Sequence, residues 1–215
     1  GLPFWASAQE IDLVNATLVD GTGAPPRAGV TVSIRDGKIA AITGTAPAPA
    51  SGVRRIELDG RYLLPGLIDA HAHIESPAAA LRALKSGVTT ARVLGDTYRQ
   101  AIGTRDLIRA GHVPGPELLV SPGHIRPKPG LAFFMVYPQF GDAIDGELRG
   151  AERIAEATRA LIAEGADVIK VGASARAGLA STDPRKPELT EDEMRAAVTE
   201  AAKKGLYVAA HAHAR

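Results

Sequence analysis

The chain has 215 residues, 45% of them apolar, and its 25 Lys and Arg against 24 Asp and Glu leave a formal net charge of +1. That supports a buried core for at least one full domain and gives neither nucleic acid nor an anionic membrane a charged surface to bind. Cysteine is absent, which excludes disulfides and thiolate metal sites, and no apolar run approaches the roughly 20 residues of a membrane span.

Residues 1–10, GLPFWASAQE, carry Ala6-Ser7-Ala8, the A-x-A form of a signal-peptidase site. They predict either the remnant of an export signal, with a periplasmic or secreted protein, or a disordered extension on a cytoplasmic one. Residues 11–64 read as β. IDLVNATLVDGTG alternates into an Asp20-Gly21 turn, and GVTVSIRDGKIAAIT is a hairpin about Asp36-Gly37. RRIELDGRYLLPG adds another strand, and the Pro/Ala-rich TGTAPAPASG reads as a loop. The whole is expected to be a small hairpin-built sheet.

After Pro65-Gly66 the rhythm changes, and residues 65–215 alternate strand and helix. LIDAHAH is a strand; SPAAALRALKSG is a helix with Ser76 as N-cap, Pro77 at its first position and Gly87 past its end. VTTARVL, PELLVSPG, ADVIKVGA and LYVAAHAH are further strands. Helices are predicted in DTYRQAIGTRDLIRAG, in GELRGAERIAEATRALIAEG, whose Ile154, Ala157, Leu161 and Ile162 share a face, and in LTEDEMRAAVTEAAKKG, where Thr190 and Glu193 form a capping box. Five strands and four helices in this order predict a parallel sheet covered by helices. Two long connections, 121–149 and 172–189, follow strand C-termini, where α/β folds build their sites. The first holds Phe133, Phe134, Phe140 and Tyr137. It reads as a lid or an apolar substrate wall, or as a loop packed on its own scaffold.

Three placements carry chemistry. His71 and His73 stand two apart on a strand and so share a face. Paired imidazoles are either satisfied core histidines or ligands of one ion. Lys170 lies among Val168, Ile169 and Val171, where burial would strip its charge and leave a nucleophilic amine. Its other reading is a strand-end lysine reaching water. His211 and His213 repeat the i, i+2 pair on the last strand. Strands one, four and five of a parallel barrel would bring all five residues to one mouth.

LLPGLIDAHAH, GVTTARVLGD, GADVIKVGAS and LTEDEMRAAVTEAAKKGLYVAAHAHA together resemble the metal-dependent amidohydrolase superfamily, in the branch of imidazolonepropionase-like proteins and Xaa-Pro-type dipeptidases. The resemblance runs from residue 11 onward. It implies the N-terminal part of a TIM-like (β/α)8 barrel, about five strands, preceded by part of a small β-sandwich. It further implies two divalent metal ions, of which zinc is the expected one. His71 and His73 would hold the buried ion, a carboxylated Lys170 would bridge, and His211 would hold the second. His124, Tyr137 and His213 would be near-site or substrate-contacting, and Arg126, Lys128 and Arg176 could meet a substrate carboxylate or be merely solvated. The implied reaction is hydrolysis of an amide bond in a dipeptide or N-acyl amino acid by a metal-bridged hydroxide. Alternatives within the superfamily are a lactonase, an organophosphate hydrolase or a deaminase.

The same pattern calls for a histidine on strand six and an aspartate base on strand eight, so no catalytic base is expected in these residues. A C-terminal complementary chain or fragment would then close the barrel, with a homo-oligomer also compatible. The rival readings are an inactive half-barrel or metal-binding module, and a small α/β binding protein with a histidine-rich site.

Overall fold

The computed structural model describes residues 10–44, 48, 51–95, 99–176 and 180–213. The Ala6-Ser7-Ala8 site, most of the Pro/Ala-rich loop, the Asp96–Tyr98 start of the predicted second helix and Arg215 lie outside the described residues. The chain divides into two compact units, Gly1–Gly66 and Leu67–Arg215.

The first unit is one five-stranded sheet. β1 (Ile11–Leu18) is central, β2 (Arg27–Arg35) pairs with it antiparallel, and β3 (Lys38–Thr43) returns along β2. The turn between β2 and β3 is the expected Asp36-Gly37, both residues at positive φ (51° and 71°), as a two-residue hairpin of this hand requires. The expectation of hairpins throughout fails at the other side of β1. There β4 (Arg54–Glu57) and β5 (Tyr62–Leu63) both run parallel to β1. β4 begins level with the start of β1, Arg54 opposite Ile11. A small core of Leu18, Val30 and Val32 covers one face.

The second unit is a run of parallel strands in chain order. β6 (Leu67–Ala72), β7 (Val88–Leu94) and β8 (Glu117–Ser121) form one sheet. β9 (His124–Ile125), β10 (Ile169–Gly172) and β11 (Val208–His211) form another. The predicted strand PELLVSPG supplies β8; the chain bends at Pro122-Gly123, at its end, and the next two residues form β9 in the other sheet. No closed barrel forms among the described residues. Helices α1 (Pro77–Lys85) and α2 (Gln100–Arg109) back the first sheet, with Ala80, Ala91, Val93, Ala101, Leu118 and Val120 as its core. Behind the second sheet lie α3 (Leu131–Val136), α4 (Ala151–Ala163) and α5 (Glu191–Ala202).

Where the strand bends, Pro122 has no N–H to give a ladder, and side chains take its place. Asp167 accepts from Val120 N at 3.0 Å while its own N–H donates to Val120 O at 2.9 Å. Lys170 N donates to Ser121 Oγ at 3.0 Å, and that hydroxyl donates to Gly123 O at 2.8 Å. Asp167 also accepts from Arg105 Nη1 at 2.7 Å and Arg109 Nη2 at 3.2 Å, tying α2 to the same joint.

The helix starts follow their local chemistry. Ser76 Oγ accepts from Ala79 N with Pro77 at the first position, and Thr190 and Glu193 cap α5 reciprocally, both as the sequence predicts. Glu193 does more: its buried carboxylate also accepts from Gly150 N, the N-cap of α4, at 2.7 Å, with Arg149 beside it. Burial alone would raise its pKa, but the N–H groups of Thr190 and Gly150 and the Arg149 charge outweigh it and hold the carboxyl below its ordinary range. The folded value is therefore depressed, so this carboxylate stabilises the fold above the ordinary glutamate range near pH 4.3 and the contribution is lost as pH falls through the lower folded value. Glu193→Ala is expected to cost about 2–3 kcal/mol at pH 7, the worth of hydrogen bonds to a charged group. In urea titrations the gap between wild type and variant should narrow as the pH is taken below about 4.

The connection 121–149 is not an open loop. It holds α3 and a 3-10 helix, Pro138–Ala143, and its aromatic rings pack on one another, with Phe133 and Tyr137 centroids 4.8 Å apart. Phe140 is buried in the core of the second sheet.

Candidate metal centre

The strands deliver their ends to one cavity of about 300 Å³, lined by His71, His73, His124, Arg126, Lys170, Ser174, Arg176, Glu188 and His211 with Leu94. All four residues singled out as metal ligands are there. The water-reaching reading of Lys170 fails: its side chain is buried at 3% exposure within a strand whose four residues are all buried. The β10 register places Lys170 opposite His124 on β9 and Ala209 on β11, with Gly172 opposite His211.

The imidazoles stand in two groups. His71 and His73 have ring centroids 5.5 Å apart, so the i, i+2 pair does present together. His211 lies 6.1 Å from His124 and 4.3 Å from His213. His213 is exposed and does not line the cavity; its backbone N–H donates to Ser174 Oγ at 2.9 Å. His112 is an exposed loop residue.

Burial and neighbouring positive charge lower the pKa of three of these imidazoles and of the lysine. Burial and then the neighbouring Lys170 lower the pKa of both His71 and His211. Burial pushes His124 down to about 3, helped by Arg126, Lys170 and His211. Lys170 is itself lowered, by burial and then by Arg92. Neutral imidazoles with free lone pairs beside an amine of reduced basicity are the protonation states that metal binding and carboxylation need. His124 Nε2 and Arg126 Nε are buried with no hydrogen-bond partner among the described residues.

Among the described residues no three His, Asp or Glu side chains stand close enough together to hold an ion by themselves. Four imidazoles and the Lys170 amine line the cavity. The only carboxylate lining the cavity among the described residues is Glu188, and it faces Arg126 at 3.7 Å.

A second cavity of about 220 Å³ adjoins the first through His73, Leu94 and His124, and is walled by Pro129, Phe133, Val136 and Tyr137. All four aromatic residues of the segment belong to the core, and Phe133 and Tyr137 also border this space. Lys128 is exposed and meets only Glu147, at 3.8 Å. The sequence reading passed over Glu188, Ser121 and Arg92. For Arg92 a signal existed, an arginine at an alternating position in an otherwise apolar, β-branched strand. Glu188 and Ser121 have no such signal.

The profile of the amidohydrolase family matches residues 62–215. The chain belongs to the amidohydrolase family. Its fold is similar to a Xaa-Pro dipeptidase solved with methionine in the active site, at 26% identity and a TM-score of 0.78, over 95% of this chain and 57% of that one. It is also similar to a prolidase solved with N-methylphosphonate-L-proline, at 25% identity and a TM-score of 0.75, over 95% and 56% of the two chains. Ochratoxinase of Aspergillus niger is 28% identical over 244 residues, 92% of this chain and 49% of that one. The chain spans about half the length of these relatives. Metal dependence is typical of the superfamily.

Proposed function

We propose that these residues form the N-terminal five strands of a (β/α)8 metal-dependent hydrolase that cleaves the amide bond of a dipeptide or an N-acyl amino acid. One observation carries the reading: a buried strand lysine, Lys170, opens onto the same cavity as His71, His73 and His211. In this reading His71, His73 and His211 would hold zinc, together with Lys170 once it is carboxylated. The ions would supply a water of lowered pKa and a polarised substrate carbonyl.

The chain's own residues prepare the rest. The Lys170 nitrogen lone pair bonds the carbon of carbon dioxide and releases a proton, giving a carbamate that offers two oxygens where the strand has no Asp or Glu. Ser121, through the Lys170 backbone N–H, fixes the lysine's height on β10. Arg126 and Arg176 place positive charge at the cavity and suit a substrate that bears a carboxylate. Phe133 and Tyr137 wall an adjoining space of a size for a substrate side chain. Glu188 is engaged by Arg126 and is not the proton shuttle. That role falls to an aspartate on strand eight, contributed by the remainder of the barrel.

The test is a panel on the full protein: Xaa-Pro and other dipeptides, N-acyl amino acids, lactones and phosphotriesters. Turnover of a dipeptide or N-acyl amino acid is expected, abolished by chelation and restored by zinc. Turnover of lactones or phosphotriesters alone would replace the substrate class. No turnover and no bound metal would leave the non-catalytic module as the reading.

A further inference from the structure

β6 is not a regular strand. Between Asp69 and Ala72 it takes three residues while β7, from Ala91 to Val93, takes two. The extra residue falls at Ala70 and His71, immediately before the histidine pair presents to the cavity. A bulge of this kind takes peptide groups off the ladder and re-aims the side chains that follow. Here both polar atoms of one such peptide group, Ala70–His71, are met by side chains. Ala70 O accepts from Arg92 Nε at 2.8 Å, and His71 N donates to Asp69 Oδ1 at 3.0 Å. Arg92 reaches across from β7, between the two β7 residues that bracket the bulge, and Asp69 reaches forward along its own strand.

We infer that Asp69 and Arg92 are positioning residues that lock the β6 bulge, so that the His71 and His73 rings stand side by side at the cavity. The inference rests on the reading of that cavity as a metal centre. Its physical basis is directional. Arg92 Nε has one N–H, fixed in the guanidinium plane, and it settles where the Ala70 carbonyl points. The Asp69 carboxylate settles the next N–H. With both ends of the Ala70–His71 peptide pinned, the His71 backbone has one orientation rather than several, and an ion finds its two nitrogens already placed. Both hydrogen bonds are solvent-exposed, so they contribute little to stability, and their removal should be felt at the ligands more than in the fold.

The test compares wild type with Asp69→Ala, Asp69→Asn and Arg92→Met in the full protein. Zinc affinity is measured by competition with a chromogenic chelator, and melting temperature on the metal-free form. Asp69→Ala and Arg92→Met are expected to weaken zinc binding by about 10–100-fold, the range for groups that orient metal ligands. The metal-free melting temperature should drop by no more than about 4 °C. Asp69→Asn keeps a carbonyl oxygen for His71 N and should recover wild-type affinity to within about threefold, since the acceptor rather than the charge is what counts. Zinc affinities of Asp69→Ala and Arg92→Met equal to wild type would overturn the positioning role while leaving the metal reading intact. A large loss of melting temperature with no recovery in Asp69→Asn would make the two residues structural and equally overturn it. Wild type that binds no zinc, or binds it as tightly after His71→Ala, would remove the metal reading and this inference with it.

Discussion

Lys170→Met is expected to abolish at least about three decades of kcat/KM in the full protein while leaving it folded. Its long apolar chain fills the space of the lysine stem, and the loss of one buried amine, at 3% exposure, removes a desolvation cost rather than a stabilising contact. Under the proposed function, what disappears is the group that would serve both histidine groups. The charge stabilisation that metal ions give a hydrolytic transition state is worth several kcal/mol, or about three decades at 1.4 kcal/mol each. Steady-state assays on the best substrate of the panel, paired with urea denaturation, separate the two effects. A fully active Lys170→Met protein would end the bridging role of this residue. An added short carboxylate should partly restore activity to Lys170→Ala, where the truncated side chain leaves room for it.

Asp167→Ala should have the largest effect on stability, about 3–5 kcal/mol in urea denaturation with an unchanged slope. The carboxylate holds Val120 N and two arginines at the joint between the sheets. Arg105, whose side chain is 7% exposed, would keep the Gly165 carbonyl and Asp106 but lose its best-placed counter-ion. Asp106 is itself largely exposed, so Asp106→Ala should cost under about 1 kcal/mol. Equal losses in the two variants would show that the joint does not depend on Asp167.

Much of this was legible in the sequence because period and punctuation are local. The βα alternation, the Ser76 and Thr190 caps and the Asp36-Gly37 turn are each written within a few residues. The gathering of His71, His73, Lys170 and His211 follows from strand order alone, since ends of parallel strands converge. What could not be read depends on pairing across the chain. Nothing near β4 states that it runs parallel to β1. The division of residues 117–125 between two sheets is announced by Pro122-Gly123, yet the substitutes for the lost ladder, Asp167 and Ser121, lie in other contexts. The helix Leu131–Val136 was hidden because its aromatic run has no polar face to give it a period. The bulge in β6 was hidden because an extra residue is defined only against its partner strand.

Glu193 has a further consequence for how the protein moves. One carboxylate seals the first turns of both α4 and α5, and Arg159 joins the same helices through Glu152 and Glu200. Fraying of α5 from its start takes away the acceptor that Glu193 gives Gly150 N at the start of α4. The two are therefore one opening unit, and their amides should exchange with solvent with a shared free energy. β10 packs against both helices through Ile169 and Val171, so its buried amides are expected to share that protection.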